Sequence, residues 1–169
     1  MALYLISLMK GGKAIPALFG TAGLDEIFYE EGYKSSCQAP LFLHKKGLQA
    51  FEYQCVRGVK IKEPLARKLG EEAQVWGIYL SLHGPYYINF ASKEESTRLN
   101  SCEHILRSLE AANWMGAKTV VFHPGQTSKH PRDDAYKMVA EGLLHCIERA
   151  ASEGFSHIKL APETGGKKN

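Results

Sequence analysis

The chain alternates short apolar runs with longer amphipathic segments, and this order limits the fold more than any other feature of the sequence. Strands separated by helices are typical of parallel sheets, so the order predicts an α/β fold. The predicted strands are residues 16–20, 48–55, 78–83, 118–123 and 157–161. The predicted helices lie at 36–46 and 63–76, from Ser92 to about Gly116, and from about Asp133 to Gly154.

Residues typical of helix ends support these limits. Pro64 suits the first turn of a helix, and Gly77 suits its end. Ser92 lies three residues before Glu95, which fits a capping box. Apolar residues at helical spacing predict the buried faces of the last two helices. These faces are Leu99, Cys102, Ile105, Leu106, Leu109 and Ala112, and then Ala135, Met138, Val139, Leu143, Cys146 and Ile147.

Two architectures fit a parallel sheet, an open doubly wound sheet and a (β/α)8 barrel. No G-x-G-x-x-G follows the first strand, so a dinucleotide-binding fold loses support. A complete barrel takes roughly 250 residues, and this chain of 169 residues supplies about five of the eight strands. We therefore expect a partial (β/α)8 TIM barrel over residues 15–169, preceded by an N-terminal extension at 1–14.

Composition excludes some classes of protein. With 44% hydrophobic and 23% charged residues, the chain is globular rather than disordered. A net charge of +3 does not by itself indicate nucleic-acid binding. The four cysteines form no C-x-x-C pair, which argues against a zinc ribbon and favours reduced thiols in the cytoplasm. The apolar residues 1–9 are too few to cross a membrane, so no membrane partner is expected.

Three successive predicted strands lead into a side chain that can bind a metal. These side chains are His83, His123 and Glu163. The carboxyl ends of parallel barrel strands share one rim, where the active sites of such barrels lie. Two imidazoles and one carboxylate are a competent ligand set for zinc. Neighbouring Pro and Gly residues form tight turns that would hold each ligand in place.

The segments around these residues resemble the endonuclease IV family. Leu82-His83-Gly84-Pro85-Tyr86-Tyr87-Ile88-Asn89 resembles the first motif of that family, Phe122-His123-Pro124-Gly125 the second, and Pro162-Glu163-Thr164-Gly165-Gly166 the third. The motifs occur in the same order and at similar spacing, and the resemblance covers about residues 17–169. The segment Phe19-Gly20-Thr21-Ala22-Gly23 departs from the family, because it lacks the usual histidine after the first strand.

The resemblance implies a zinc-dependent barrel enzyme that cuts double-stranded DNA at abasic or damaged sites. It implies that His83, His123 and Glu163 bind zinc and that Glu163 is catalytic, because it bridges two ions. Tyr86 and Tyr87 match a loop that enters the DNA, and Arg57 lies near a second DNA-binding loop. Family members hold up to three ions with ligands from later strands, so these 169 residues are expected to hold one ion or fewer.

Two other interpretations stay open. Sugar isomerases and epimerases with related barrels also bind a divalent metal at this rim. The chain could instead be an inactive partial barrel. An unclosed barrel exposes two strand edges, so self-association of the chain is expected.

Overall fold

The protein is described by a computed structural model, which covers residues 2–4 and 17–163 of the chain. These residues form one six-stranded sheet in which the strands follow their order in the chain. The strands are β1 (Ala2–Tyr4), β2 (Phe19–Ala22), β3 (Ala50–Gln54), β4 (Tyr79–His83), β5 (Thr119–Phe122) and β6 (Lys159–Pro162). Strand β1, within the predicted extension, pairs antiparallel with β2, whereas β2 to β6 are parallel. The five parallel strands confirm the predicted partial barrel; where the domain begins stays a prediction.

Helices connect the parallel strands. They are α1 (Glu26–Glu30), α2 (Ala39–Lys45), α3 (Glu63–Trp76), α4 (Glu95–Met115) and α5 (Arg132–Ser152), and one 3-10 turn (Ser36–Gln38) leads into α2. Helix α2 packs on α3, α3 on α4, and α4 on α5. The helices therefore form a layer that follows the order of the strands, as expected for successive β/α units.

A glycine allows α3 and α4 to approach closely. A Cβ atom at Gly70 would lie 2.5 Å from the Met115 carbonyl oxygen, so any side chain there would push the two helices apart. Both helices end at a glycine in the left-handed conformation, Gly77 with φ 66° and Gly116 with φ 68°. The predicted ends of these helices are confirmed, because such a conformation favours glycine.

The two faces of the sheet differ in chemistry because successive strand residues point to opposite sides. One face packs against the helices through a buried core that includes Phe51, Leu80, Leu82, Val120 and Phe122. The other face carries polar side chains, among them Glu52, Tyr79, Ser81, His83 and Thr119. Hydrogen bonds cross this polar face between strands, such as Tyr79 to Thr119 at 3.1 Å. The ends of the strands on this face hold the candidate site.

Some details of the predicted helices are wrong. Helix α1 was not predicted, because five residues are too few to show a period; Asp25 caps it by accepting from the Phe28 N–H at 3.2 Å. The capping box at Ser92 is absent, because Ser92 accepts from the Glu94 N–H and the helix begins at Glu95. Two predicted core residues, Leu99 and Ile147, are 62% and 51% exposed on the outer helix layer. All four cysteines are buried and unpaired.

Candidate metal centre

The structure brings the three predicted metal ligands together at one end of the sheet. His83 is the last residue of β4, and His123 and Glu163 each follow directly on β5 and β6. One ligand atom from each residue lies within 4.8 Å of those of the other two. The parallel register explains this, because each ligand stands at the same end of its strand. Three sequence-distant side chains thus share one small volume.

The His83 ring is held in one orientation by its own turn. Its Nδ1 atom lies 2.8 Å from the Gly84 carbonyl oxygen, and a carbonyl can only accept, so Nδ1 carries the proton. In the neutral ring, Nε2 then presents a lone pair, and it lies 3.3 Å from Glu163 Oε2. A lone pair and a carboxylate oxygen repel each other unless a proton or a metal cation lies between them. This arrangement fits a metal ion, since metal-binding histidines are commonly oriented through their second nitrogen.

The second imidazole faces the same carboxylate oxygen. His123 Nδ1 lies 3.9 Å from Glu163 Oε2, and its ring centre is 5.1 Å from that of His83. His83 is only 6% exposed, whereas the side chains of His123 and Glu163 are 41% and 52% exposed. The site is therefore open on one side. Two nitrogens and one oxygen fit zinc with a position left for water or substrate.

Two polar residues, Glu52 and Ser81, lie beneath the ligands, and the sequence predicted no role for either of them. Glu52 is 4% exposed and accepts hydrogen bonds from Gln54 Nε2 at 2.8 Å and from Ser81 Oγ at 3.3 Å. Burial raises the pKa of Glu52, and His83 opposes that shift when its ring is protonated. The sequence does contain a signal for Glu52, because it is a charged residue inside an apolar strand. It lies two positions before Gln54 and therefore on the same face of the sheet.

The motif residue Asn89 joins the loops that carry the two histidines. Its Nδ2 donates to Ser128 Oγ at 3.1 Å, and its Oδ1 accepts from the Ala91 N–H at 3.1 Å. Its backbone N–H donates to Ser101 Oγ at 2.8 Å. Gly125 lies so close that a Cβ atom there would be 2.2 Å from Asn89 Oδ1. Asn89 and Gly125 thus fit together and align the loop after β4 with the loop after β5.

Tyr86, one of the three predicted DNA-binding residues, lies beside the two histidines of the candidate metal centre. Its ring stacks on His123, with centres 5.7 Å apart and planes at 22°, and it meets His83 edge-on at 6.1 Å. The ring remains 58% exposed. The Tyr86 backbone N–H donates to the Val56 carbonyl at 3.3 Å, which joins this loop to the turn that carries Arg57.

The other two predicted DNA-binding residues have surroundings of their own. Tyr87 is 54% exposed, and its ring centre lies 5.8 Å from that of His104 on α4. Arg57 is exposed in the turn after β3, where it lines a small cavity with Gln54 and Lys60. Their role in binding DNA stays a prediction. Thr164, Gly165 and Gly166 of the third motif lie outside the described residues.

Comparison with known proteins agrees with this fold. Residues 41–169 match a family described as xylose isomerase-like TIM barrel. The chain belongs to this family. An uncharacterised protein of Methanocaldococcus jannaschii is 34% identical over 155 residues, which cover 92% of this chain and 54% of that protein. A probable endonuclease 4 of Acholeplasma laidlawii is 28% identical over 115 residues, which cover 68% of this chain and 37% of the relative.

Solved structures show the same architecture. Endonuclease IV from Thermus thermophilus superposes with a TM-score of 0.61 at 23% identity, over 78% of this chain and 49% of that one. A D-psicose 3-epimerase superposes with a TM-score of 0.64 at 17% identity, over 82% of this chain and 51% of that one. At these identities the likeness establishes the fold alone. The chain spans about half the length of these two proteins.

No helix among the residues that the structure describes has the length and apolar character needed to cross a membrane.

Proposed function

We propose that this chain carries part of a zinc-dependent endonuclease that hydrolyses phosphodiester bonds in double-stranded DNA at abasic or damaged sites, a step of base excision repair. The observation that supports this most is the convergence of His83, His123 and Glu163 within 4.8 Å. The 28% identity to a probable endonuclease 4 supports the same class of reaction. The four unpaired cysteines fit a reducing, cytoplasmic location.

In this proposal His83, His123 and Glu163 hold the zinc ion. When bound, zinc lowers the pKa of a coordinated water toward neutrality and stabilises negative charge on the phosphate. The Gly84 carbonyl keeps His83 Nδ1 protonated, so that Nε2 stays free as a ligand. Glu163 Oε2 faces both rings, and the Glu163 side chain is 52% exposed, so that a substrate in solution can reach it. Residues that complete a three-ion site would come from further strands.

Tyr86, Tyr87 and Arg57 are proposed to bind the DNA. Tyr86 already contacts His123 and is more than half exposed, so a base or sugar stacked on its outer face would lie next to the metal ligands. Stacking on aromatic rings is tolerant of base identity. An abasic nucleotide is the least costly to extrude toward such a site, because it has no base pair. This supports recognition of a damaged nucleotide rather than of a sequence.

A sugar isomerase or epimerase is the second candidate, and its support is the superposition on D-psicose 3-epimerase. Such an enzyme needs a metal and a polar pocket for hydroxyl groups, and the Glu52, Gln54 and Ser81 side chains offer polar atoms. It has no need of exposed aromatic rings that bind duplex DNA. Self-association through the outer edge of β6, which pairs with no further strand among the described residues, is also proposed, and it applies to either function.

One experiment separates the two candidates. The purified chain, loaded with zinc, is incubated with a duplex that contains one abasic-site analogue, with the matched intact duplex, and separately with ketohexoses. The endonuclease proposal expects incision of the abasic duplex alone, loss of incision after chelation, and loss in His83→Ala. Epimerised sugar without incision would replace it with the second candidate. Absence of both products would contradict both candidates and favour the interpretation as an inactive partial barrel.

A further inference from the structure

We propose that Glu52 is a positioning residue of the metal centre, which strengthens cation binding from beneath the ligands without touching the ion. The inference rests on the metal centre of the proposed function and assigns to it a residue outside the ligand set. It concerns cation affinity, so it does not depend on which substrate the site converts.

The register of β3 and β4 places Glu52 one step below the ligands. Gln54 is paired with His83, and Glu52 with Ser81, on the same face of the sheet. Each carboxylate oxygen accepts one hydrogen bond, Oε1 from Gln54 and Oε2 from Ser81. Both hydrogen bonds favour a carboxylate that stays on the polar face. Its bond to Gln54 also holds that amide beside His83 at the rim.

The charge of Glu52 has no positive partner in residues 17–163, where none of the ion pairs involves it. Both of its hydrogen-bond donors are neutral groups. A buried carboxylate without a cation is costly, because it loses hydration and gains no opposite charge. A divalent ion held by His83, His123 and Glu163 would supply that charge just above it.

The pKa of Glu52 depends on the charges of the candidate ligands as well as on burial. Burial raises the pKa of Glu52, and His83, when its ring is protonated, is the largest influence in the opposite direction. The negative charge of Glu163 raises it further. Both candidate ligands therefore influence the pKa of Glu52. A cation held between them would lower that pKa, as a protonated His83 does, and would favour the charged form of Glu52.

The test compares two variants that change this contact differently. Glu52→Gln keeps the shape and both hydrogen bonds, because its amide accepts from Gln54 and donates to Ser81, but it removes the charge. Ser81→Ala keeps the charge and removes one hydrogen bond. Zinc affinity of each purified chain is measured by competition with a chromogenic chelator, and thermal unfolding is followed without metal.

We expect Glu52→Gln to weaken zinc binding by about 10- to 100-fold, the range for residues that support metal ligands. Ser81→Ala should stay within about threefold of the parent, since a single long hydrogen bond contributes little. Without metal, Glu52→Gln should unfold at the same temperature or higher, because a buried charge is gone. Weaker zinc binding without loss of stability is a combination that a merely structural role does not produce.

His83→Ala distinguishes the failure of this inference from failure of the metal centre. If His83→Ala loses zinc while Glu52→Gln binds as the parent does, the role of Glu52 is refuted and the centre stands. Equal losses in Glu52→Gln and Ser81→Ala, with lower unfolding temperatures, would indicate packing alone and also overturn it. If the parent chain binds no zinc, both the proposed metal centre and the role of Glu52 are refuted. An effect of Glu52→Gln in a chain that cuts no DNA would leave the inference intact and refute only the proposed substrate.

Discussion

Replacing Gly125 by alanine tests how the two histidine loops fit together. Gly125 has φ 121°, and a Cβ atom there would lie 2.2 Å from Asn89 Oδ1 and 2.7 Å from Asn89 Cα. The backbone strain of a side chain in this region costs about 1–3 kcal/mol. The overlap with Asn89 adds about 1–3 kcal/mol, as for other overpacked contacts. We expect the free energy of unfolding of Gly125→Ala to fall by the sum of the strain cost and the overlap cost.

Gly58→Ala is the matched control, because Gly58 also has a positive φ, 94°, but a Cβ atom there meets nothing within 4 Å. It carries the strain without the overlap. The difference in unfolding temperature between the two variants should correspond to the overlap alone, at about 2–4 °C per kcal/mol for a domain of this size. Thermal unfolding by circular dichroism measures it. Equal losses of stability in the two variants would refute the close fit of Gly125 and Asn89.

Two further predictions concern the DNA-binding loop and acid stability. Tyr86→Ala should weaken binding to an abasic duplex by about 5- to 100-fold, the range for one aromatic stacking partner. Tyr136→Ala, which removes a similarly exposed ring on α5, should leave the affinity unchanged. Fluorescence anisotropy measures both affinities, and equal values for the two variants would contradict the role of Tyr86. Burial, and secondarily the charge of Arg107, lower the pKa of His104 from 6.5, so the folded state favours its neutral ring. The stability that this provides is complete above the unfolded pKa and is lost as pH falls through the folded pKa. His104→Gln should therefore lose less stability than the parent between pH 7.5 and 5 in urea unfolding, and identical pH slopes would contradict this.

Much of the fold was predictable because it depends on local patterns. The predicted strand at 78–83 is β4, at Tyr79–His83, and the predicted helix at 63–76 is α3 with the same limits. Repeated apolar spacing and a glycine at each helix end are local signals. The short helix α1 and the true start of α4 lacked such signals. Leu99 fits the apolar spacing of α4 but lies on its exposed side, because the spacing does not say where the neighbouring helix lies.

The candidate ligands of the site could be predicted from the sequence, but the residues that surround and support them could not. His83, His123 and Glu163 could be found because each follows a strand, and parallel strands share one rim. Glu52 could not, because its place below His83 depends on the register between β3 and β4. The contact of Tyr86 with His123 is likewise a matter of loop conformation. Sequence motifs predicted that this loop binds DNA, but they did not indicate that its Tyr86 ring stacks on His123.

The sequence by itself determined the order of strands and helices and the position of three possible ligands at strand ends, because both follow from periodicity and neighbouring turn residues. Only the tertiary structure decided which atoms of those ligands face one another, that the Gly84 carbonyl sets the protonated nitrogen of His83, and that Glu52 lies beneath them. The physical reason is that these relations depend on strand register and on contacts between residues far apart in the chain. A pattern read along the chain does not contain them.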